Sequence, residues 1–344
     1  MTLTLPAGES SSVLASSSGE PSSRSSGRPV TSSHRADITR WMAGLHDELT
    51  SFFGRLDRGG TFIEDRWERP GGGGGVARVM TDGVTFEKAG INRSAVMGTL
   101  PEAAARRLGG TGATQGSTMF FATGVSLVVH PRSPMVPTVH LNVRYFELTD
   151  EQGRVTDRWF GGGTDLTPFY PHEDDPRTFH QALARMCERH HPAFYADFKA
   201  WCDRYFVNTH RDNEARGCGG IFFDHLRPDD PTHGRDAEAL QAFVSDVARV
   251  LRFAYEPIVE RRRDEPFGER EREFQLVRRG RYVEFNLVHD RGTTFGLQTN
   301  ARVESVLMSL PPLAMWQYAP RYAPGSFESR LMAMLAPRDW LSSS

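Results

Sequence analysis

The chain has 344 residues and a formal net charge of −2, from 41 basic and 43 acidic residues. That length suits two domains or one large one at about 150 residues each, and the near balance of charge argues against a general binder of nucleic acid or membrane surface. No apolar run approaches the roughly 18 residues of a membrane span, and three cysteines without a C-x-x-C pair, Cys187, Cys202 and Cys218, argue against a disulfide framework, a Cys-rich zinc site or a Cys-ligated iron–sulfur cluster and point to a reducing compartment.

Residues 1–35 hold 12 serines, scattered Gly and Pro, and almost no large apolar side chains. Such a segment cannot bury enough surface to offset its ordering entropy, which predicts a disordered extension. Its serines with Arg24, Arg28 and Arg35 loosely fit an organellar transit peptide, although no amphipathic Arg-bearing helix is evident. The cytoplasm is the expected compartment, with an organelle the alternative. From Asp37 onward, Ile38, Trp41, Met42, Leu45, Leu49, Phe52, Phe53 and Leu56 recur at helical spacing. The glycines at 71–75 read as too flexible for a regular element. Residues 76–80 and 84–88 read as strands around a turn at Asp82-Gly83, and residues 126–130 and 139–145 as strands joined by a loop holding Pro131, Pro134 and Pro137. Helices follow at 179–189, over the run from Phe194 to Phe206, and at 236–262, where Leu240, Phe243, Val247, Leu251, Ala254 and Ile258 share a face. Residues 274–277, 282–288 and 294–298 read as returning strands, 261–281 as a solvated surface of mixed charge, and 327–335 as a last helix. No repeat or linker divides 36–344, so the expectation is one α+β domain around an antiparallel sheet.

Chemistry-bearing residues concentrate on the middle strands. Alternate side chains of a strand share a face, so Val139, Leu141, Val143 and Tyr145 point one way and His140, Asn142 and Arg144 the other. The second set is a row of hydrogen-bond donors, and equally what a solvated sheet face carries. Ser126, Val128 and His130 group likewise, so two histidines meet if these strands pair. The stretch 159–168 (WFGGGTDLTP) sets three glycines beside Asp165; it matches no phosphate loop, and the glycines permit close backbone approach or a plain turn. His130, His140, His180 and His210 are candidates for metal binding or proton transfer, without any H-x-x-x-H or H-E-x-x-H spacing. Cys218 sits between glycines with no adjacent histidine and reads as a small buried filler. Of the 41 basic residues only Lys88 and Lys199 are lysine, which reads as codon bias unless particular arginines bind carboxylates.

Together these stretches resemble the oxygen-dependent coproporphyrinogen III oxidase family. The matching segments are 124–131 (GVSLVVHP), 140–146 (HLNVRYF), 159–168, 216–224 (RGCGGIFFD), 280–299 (GRYVEFNLVHDRGTTFGLQT), 304–312 (ESVLMSLPP) and 338–340 (RDW). The resemblance runs in order over about 36–341, leaving the Ser-rich head outside. It implies a large antiparallel sheet flanked by helices on both sides, and oxidative decarboxylation of two propionates of coproporphyrinogen III to vinyl groups, with O₂ as co-substrate and protoporphyrinogen IX as product in haem biosynthesis. It implies no organic cofactor, and a homodimer meeting over about 282–318. By position it makes His140 a proton donor and Asp165 the carboxylate at the pyrrole N–H groups. Ser126, Asn142, Val143, Arg144, Arg216, Asn300, Ala301 and Arg302 become substrate contacts. His130, His140, His180 and His210 become ligands of a possible divalent metal. Arginine suits a substrate with four propionates because its guanidinium grips a carboxylate with two hydrogen bonds. The chain departs from the family in Asn300-Ala301 before Arg302, in His289 and in Cys218. Two rival readings are a metal-dependent oxygenase on another substrate and a non-catalytic tetrapyrrole carrier; the presence of Asp165 argues against the carrier.

Overall fold

The computed structural model of the chain describes residues 32–100, 119–298 and 301–342. Up to residue 31 the predicted extension therefore lies outside the described residues. Residues 32–35, predicted to be part of it, are instead helical, and helix α1 spans Ser32–Asp57. Its first turn has partners on the sheet. Arg35 Nε donates to Glu147 Oε1 at 2.5 Å, and the Tyr145 hydroxyl donates to Glu147 Oε2 at 2.8 Å. Glu147 is fully buried, and a charge out of water needs such a partner.

Seven strands form one antiparallel sheet: β1 (Ile63–Glu68), β2 (Gly73–Thr81), β3 (Phe86–Thr99), β4 (Met119–Pro131), β5 (Thr138–Thr149), β6 (Val155–Thr167) and, beside β6, β9 (Gly220–Leu226). A separate ribbon pairs β7 (Val207–Asn208) with β8 (Glu214–Ala215). The period of two predicted for the central strands holds. Val125, Leu127 and Val129 of β4 lie opposite Val143, Leu141 and Val139 of β5, all fully buried. Onto this face pack Met42, Leu45, Leu49 and Phe53 of α1 and Leu240, Phe243, Val244 and Val247 of a helix at Ala237–Arg249. Asp57, at the end of α1, takes the backbone N–H groups of Gly60, Val84, Thr85 and Phe86 at 2.6 to 3.0 Å and so pins the β2–β3 turn to the helix.

Several sequence expectations need correction. Glycines 73–75 lie inside β2; a Cβ on Gly75 would come within 2.6 Å of both the Trp67 ring and the Arg93 carbonyl, so close strand packing demands glycine there. The helix predicted over 236–262 is three pieces, Ala237–Arg249, Leu251–Ala254 and Glu256–Arg262, and Pro257 opens the last because it has no N–H for the preceding turn. Residues 274–277 and 282–288 are not strands: a helix at Glu269–Glu284 runs into a π turn at Phe285–His289, closed by Asp290 N–H on the Phe285 carbonyl at 2.9 Å. Residues 294–298 are likewise helical, within Arg291–Gln298.

The 261–281 stretch is not all solvated either. Arg278, Arg279 and Arg281 are buried and held by Glu214, Glu87 and Glu284. Charges at buried positions erase the apolar helical period, and the aromatic and β-branched residues left over imitate strands. A second apolar cluster joins this helix to the chain's end through Phe274, Phe327, Leu331, Met334 and Trp340.

Removing Arg35 leaves Glu147 buried with the Tyr145 hydroxyl and the more distant His34 imidazole at 4.0 Å. Arg35→Ala is expected to lower stability by roughly 2 kcal/mol in urea unfolding. Arg40→Ala, on the same helix but in an exposed pair with Asp37, should change it by no more than about 0.5 kcal/mol.

Candidate active site

The other face of the sheet is built differently. Side chains opposite one another across antiparallel pairs share a face, and the register sets out three rows. The first runs Asp165, His140, Val128, Gly90; the second Gly163, Asn142, Ser126, Asn92, Ala77, Asp65; the third Gly161, Arg144, Gly124, Ser94. Most members are small or polar, so the face is a low floor with few side chains standing on it. Residues 301–310 cross above it. Met308 packs over Gly90, where a Cβ would meet its side chain at 2.5 Å. The Ser309 and Leu310 carbonyls meet His130 Nε2 at 2.9 Å and Lys88 Nζ at 2.7 Å. Arg302 reaches Asp65 at 2.5 Å on the edge strand.

At one end of the floor stands a chain of three charged or polar groups. His140 Nδ1 lies 2.8 Å from Asp165 Oδ1, and Arg216 Nη2 donates to Asp165 Oδ2 at 2.5 Å. Asp165 and Arg216 are each 2% exposed, whereas the His140 side chain is 22% exposed. Burial alone would raise the Asp165 carboxyl, but the guanidinium and the imidazole hold it below its usual value. An ionised carboxylate only accepts, so His140 carries its proton on Nδ1, leaving Nε2 as the nitrogen available to a substrate. Arg216 is caged by the rings of Phe206, Tyr282 and Phe285 at 4.1 to 4.8 Å and donates to Asn286 Oδ1 at 3.1 Å. Its charge is directed at Asp165.

Arg144 stands on the open floor. Its guanidinium pairs with Asp224 at 2.9 Å, donates to Asn142 Oδ1 at 3.0 Å and lies over the Trp159 ring. Gly161 makes the room, since a Cβ there would come within 2.7 Å of Arg144 Nε. Arg302 is also paired, with Asp65 and Glu304. Ala301 is half-buried with its N–H on the Gly296 carbonyl, and Asn300 lies outside the described residues. Val143 is fully buried on the core face, opposite in direction to Asn142 and Arg144.

The four histidines are not gathered. His130 and His140 share a face, but His130 is engaged by Thr138 Oγ1 and Ser309 O. His180 sits between the Tyr195 hydroxyl and the Cys218 carbonyl, both at 3.0 Å. In each, the N–H faces the carbonyl, so the remaining lone pair is taken by a hydroxyl. Burial pushes His130 well below its ordinary value and His180 down to about 3, keeping both neutral. His210 is at the surface, 2.7 Å from His289 and 3.1 Å from Glu284. Among the described residues no three His, Cys, Asp or Glu side chains are placed to hold a metal ion. The four do not fit a single centre.

A family model described as Coproporphyrinogen III oxidase matches residues 37–340. The chain belongs to that family. It is 46% identical over 317 residues to an oxygen-dependent coproporphyrinogen-III oxidase, chloroplastic, of Glycine max, covering 90% of this chain and 80% of the relative. It is equally identical, with the same coverage, to coproporphyrinogen-III oxidase 1, chloroplastic, of Arabidopsis thaliana, and 51% identical over 288 residues to the oxygen-dependent enzyme of Drosophila melanogaster, covering 82% and 72%. Within this coproporphyrinogen oxidase fold, sequence reasoning missed Asp224, Asn286 and the Phe206–Tyr282–Phe285 cage. Asp224 was accessible, because it shares the period-two face of Gly220 and Phe222 in β9. Asn286 was hidden by reading the π turn as a strand.

A histidine whose folded value lies far below its unfolded one makes the native state resist protons that the unfolded state takes up, so stability falls as pH drops below 6.5. His180→Gln should flatten the urea-derived stability curve between 6.5 and about 4 by roughly 1.4 kcal/mol per pH unit. Unchanged slope would refute a neutral buried His180.

Proposed function

We propose that the chain catalyses the oxygen-dependent oxidative decarboxylation of two propionates of coproporphyrinogen III to vinyl groups, giving protoporphyrinogen IX. The observation that carries the mechanism is the His140–Asp165–Arg216 series at the end of a floor that also bears Arg144 and lies under Arg302. Arg144 and Arg302 bind substrate propionates and set the macrocycle against the floor. His140 is the group at the substrate, and Asp165 acts behind it. Its carboxylate fixes the ring with Nε2 outward and stabilises the imidazolium once a proton arrives. Arg216 keeps Asp165 ionised and takes no part at the substrate. His140 accepts a pyrrole proton, which makes the ring electron-rich toward O₂, and returns it as the reaction closes. For each propionate, CO₂ and two hydrogens leave, O₂ takes up two electrons and two protons, and hydrogen peroxide balances the equation. The substrate supplies the electrons. No step runs through a metal, because the four histidines do not form one donor set.

We also propose that a second copy of the chain covers residues 282–318. Leu287, Val288, Leu313, Trp316 and Tyr318 are exposed there, an apolar group of the kind that marks an interface. The cytoplasm is the proposed compartment, in keeping with three free, buried cysteines; an organelle is the alternative, since two relatives are named chloroplastic.

Purified protein given coproporphyrinogen III should form protoporphyrinogen only when O₂ is present, at a rate unchanged by EDTA. Loss of product with EDTA would restore a metal to the site. Asp165→Asn should lower kcat by about 10²–10⁴ while Asp224→Asn acts mainly on KM. Leu313→Asp should convert a dimer to monomer in sedimentation; an unchanged dimer would place the interface elsewhere.

A further inference from the structure

Asn92 is the one side chain of the floor's middle row whose role nothing above explains. It lies opposite Ser126 on β4 and, through Ala77, two strands from Asp65, the residue that holds Arg302. Strand spacing puts it about 5 Å from Ser126 and about 10 Å from Asp65, so it sits between a polar floor and the reach of an arginine. Its neighbours along β3 on this face, Gly90 and Ser94, are small and leave its carboxamide standing alone. Asn92 Oδ1 is shielded from water and has no hydrogen-bond partner among the described residues. A buried polar atom left unpaired destabilises the fold, and most such atoms in native proteins have a partner. The row's other amide is already engaged, because Asn142 Oδ1 accepts from Arg144.

We propose that Asn92 is a further substrate-positioning residue, its carboxamide donating a hydrogen bond to a carboxylate that Arg302 holds. With Oδ1 turned inward, Nδ2 is the end of this half-buried amide left open to the floor, and it presents an N–H to an anion. With Ser126 and Asn142 in the same row, the floor then offers a line of neutral donors at the periphery of a flat, carboxylate-edged ligand, while charge comes from the arginines at either end. Neutral donors suit this place. A third guanidinium would have to be desolvated without an acid of its own, as Asp224 and Asp65 serve Arg144 and Arg302.

The proposal rests on the tetrapyrrole reading, and its test separates the two. Full-length wild type, Asn92→Ala and the isosteric Asn92→Asp are compared by KM and kcat for coproporphyrinogen III. They are also compared by fluorescence titration with coproporphyrin III and its tetramethyl ester, which need no turnover. Asn92→Ala should raise KM and the coproporphyrin Kd about tenfold, the effect of one hydrogen bond to a charged group, with kcat nearly unchanged. Asn92→Asp should raise both further, because it sets an anion against an anion. The ester, without carboxylates, should bind all three proteins equally. If Asn92→Asp binds as well as wild type, the amide accepts from a ring N–H and the proposal is wrong. If Asn92→Ala binds as well as wild type, Asn92 makes no contact and the proposal is wrong. A wild type that binds coproporphyrin III with the expected Asn92 dependence but yields no product overturns the oxidase reading and leaves this one standing.

Discussion

The contact between Asp165 and Arg216 sets the terms for much else in the molecule. Each partner alone would be a charge taken out of water at a cost of several kcal/mol, so the loss of either leaves the other as a destabilising buried charge. Much of the surrounding architecture serves that pair. The π turn swings Asn286 to the far side of the guanidinium and Phe285 against its face. The helix before the turn supplies Tyr282, and the chain before β7 supplies Phe206. What reaches the open floor is only the imidazole of His140, oriented by a carboxylate that cannot turn away. In the mechanism proposed above, that fixed charge aims the proton transfer, because nothing need reorganise when the proton moves.

The rest of the floor obeys another constraint. Its anchors are already satisfied by carboxylates of the protein, Arg144 by Asp224 and Arg302 by Asp65. On the proposed reading, binding a propionate exchanges one carboxylate for another at each arginine, so the net gain per anchor is small. Such anchors specify where the substrate sits more than how tightly it binds. The glycines beneath them have the complementary role. At Gly161 and Gly90 any side chain would strike Arg144 or Met308, so the height of the floor is fixed by residues that contribute no chemistry.

Much of this was legible in the sequence where the period was clean. Alternation in 139–145 gave the correct partition of core and site faces, and α1 announced itself through its apolar stripe. Of the motifs that carried the family resemblance, 124–131, 140–146, 159–168 and 216–224 fall on or beside the strands of the sheet, whereas 280–299 is mostly helical and 338–340 closes the second apolar cluster. Legibility failed where burial and polarity part company. The helix at Glu269–Glu284 carries buried arginines, so its pattern has no helical stripe to see. Register was equally out of reach: that His140 meets Asp165 while His130 turns to Thr138 and Ser309 depends on how β4, β5 and β6 slide past one another. Four histidines that look like a set in one dimension are therefore separate in three.

The salt bridge at the start of α1 bears on where the folded unit begins. Glu147 sits at the far end of β5, and its counter-ion is Arg35 in the first turn of α1. The residues from Arg35 onward therefore belong to the folded unit. A cut beyond that point would strip the charge that neutralises a carboxylate in the core, and would be felt along the same strand that carries His140 and Arg144. One guanidinium thus ties the first turn of the helix to the core of the sheet.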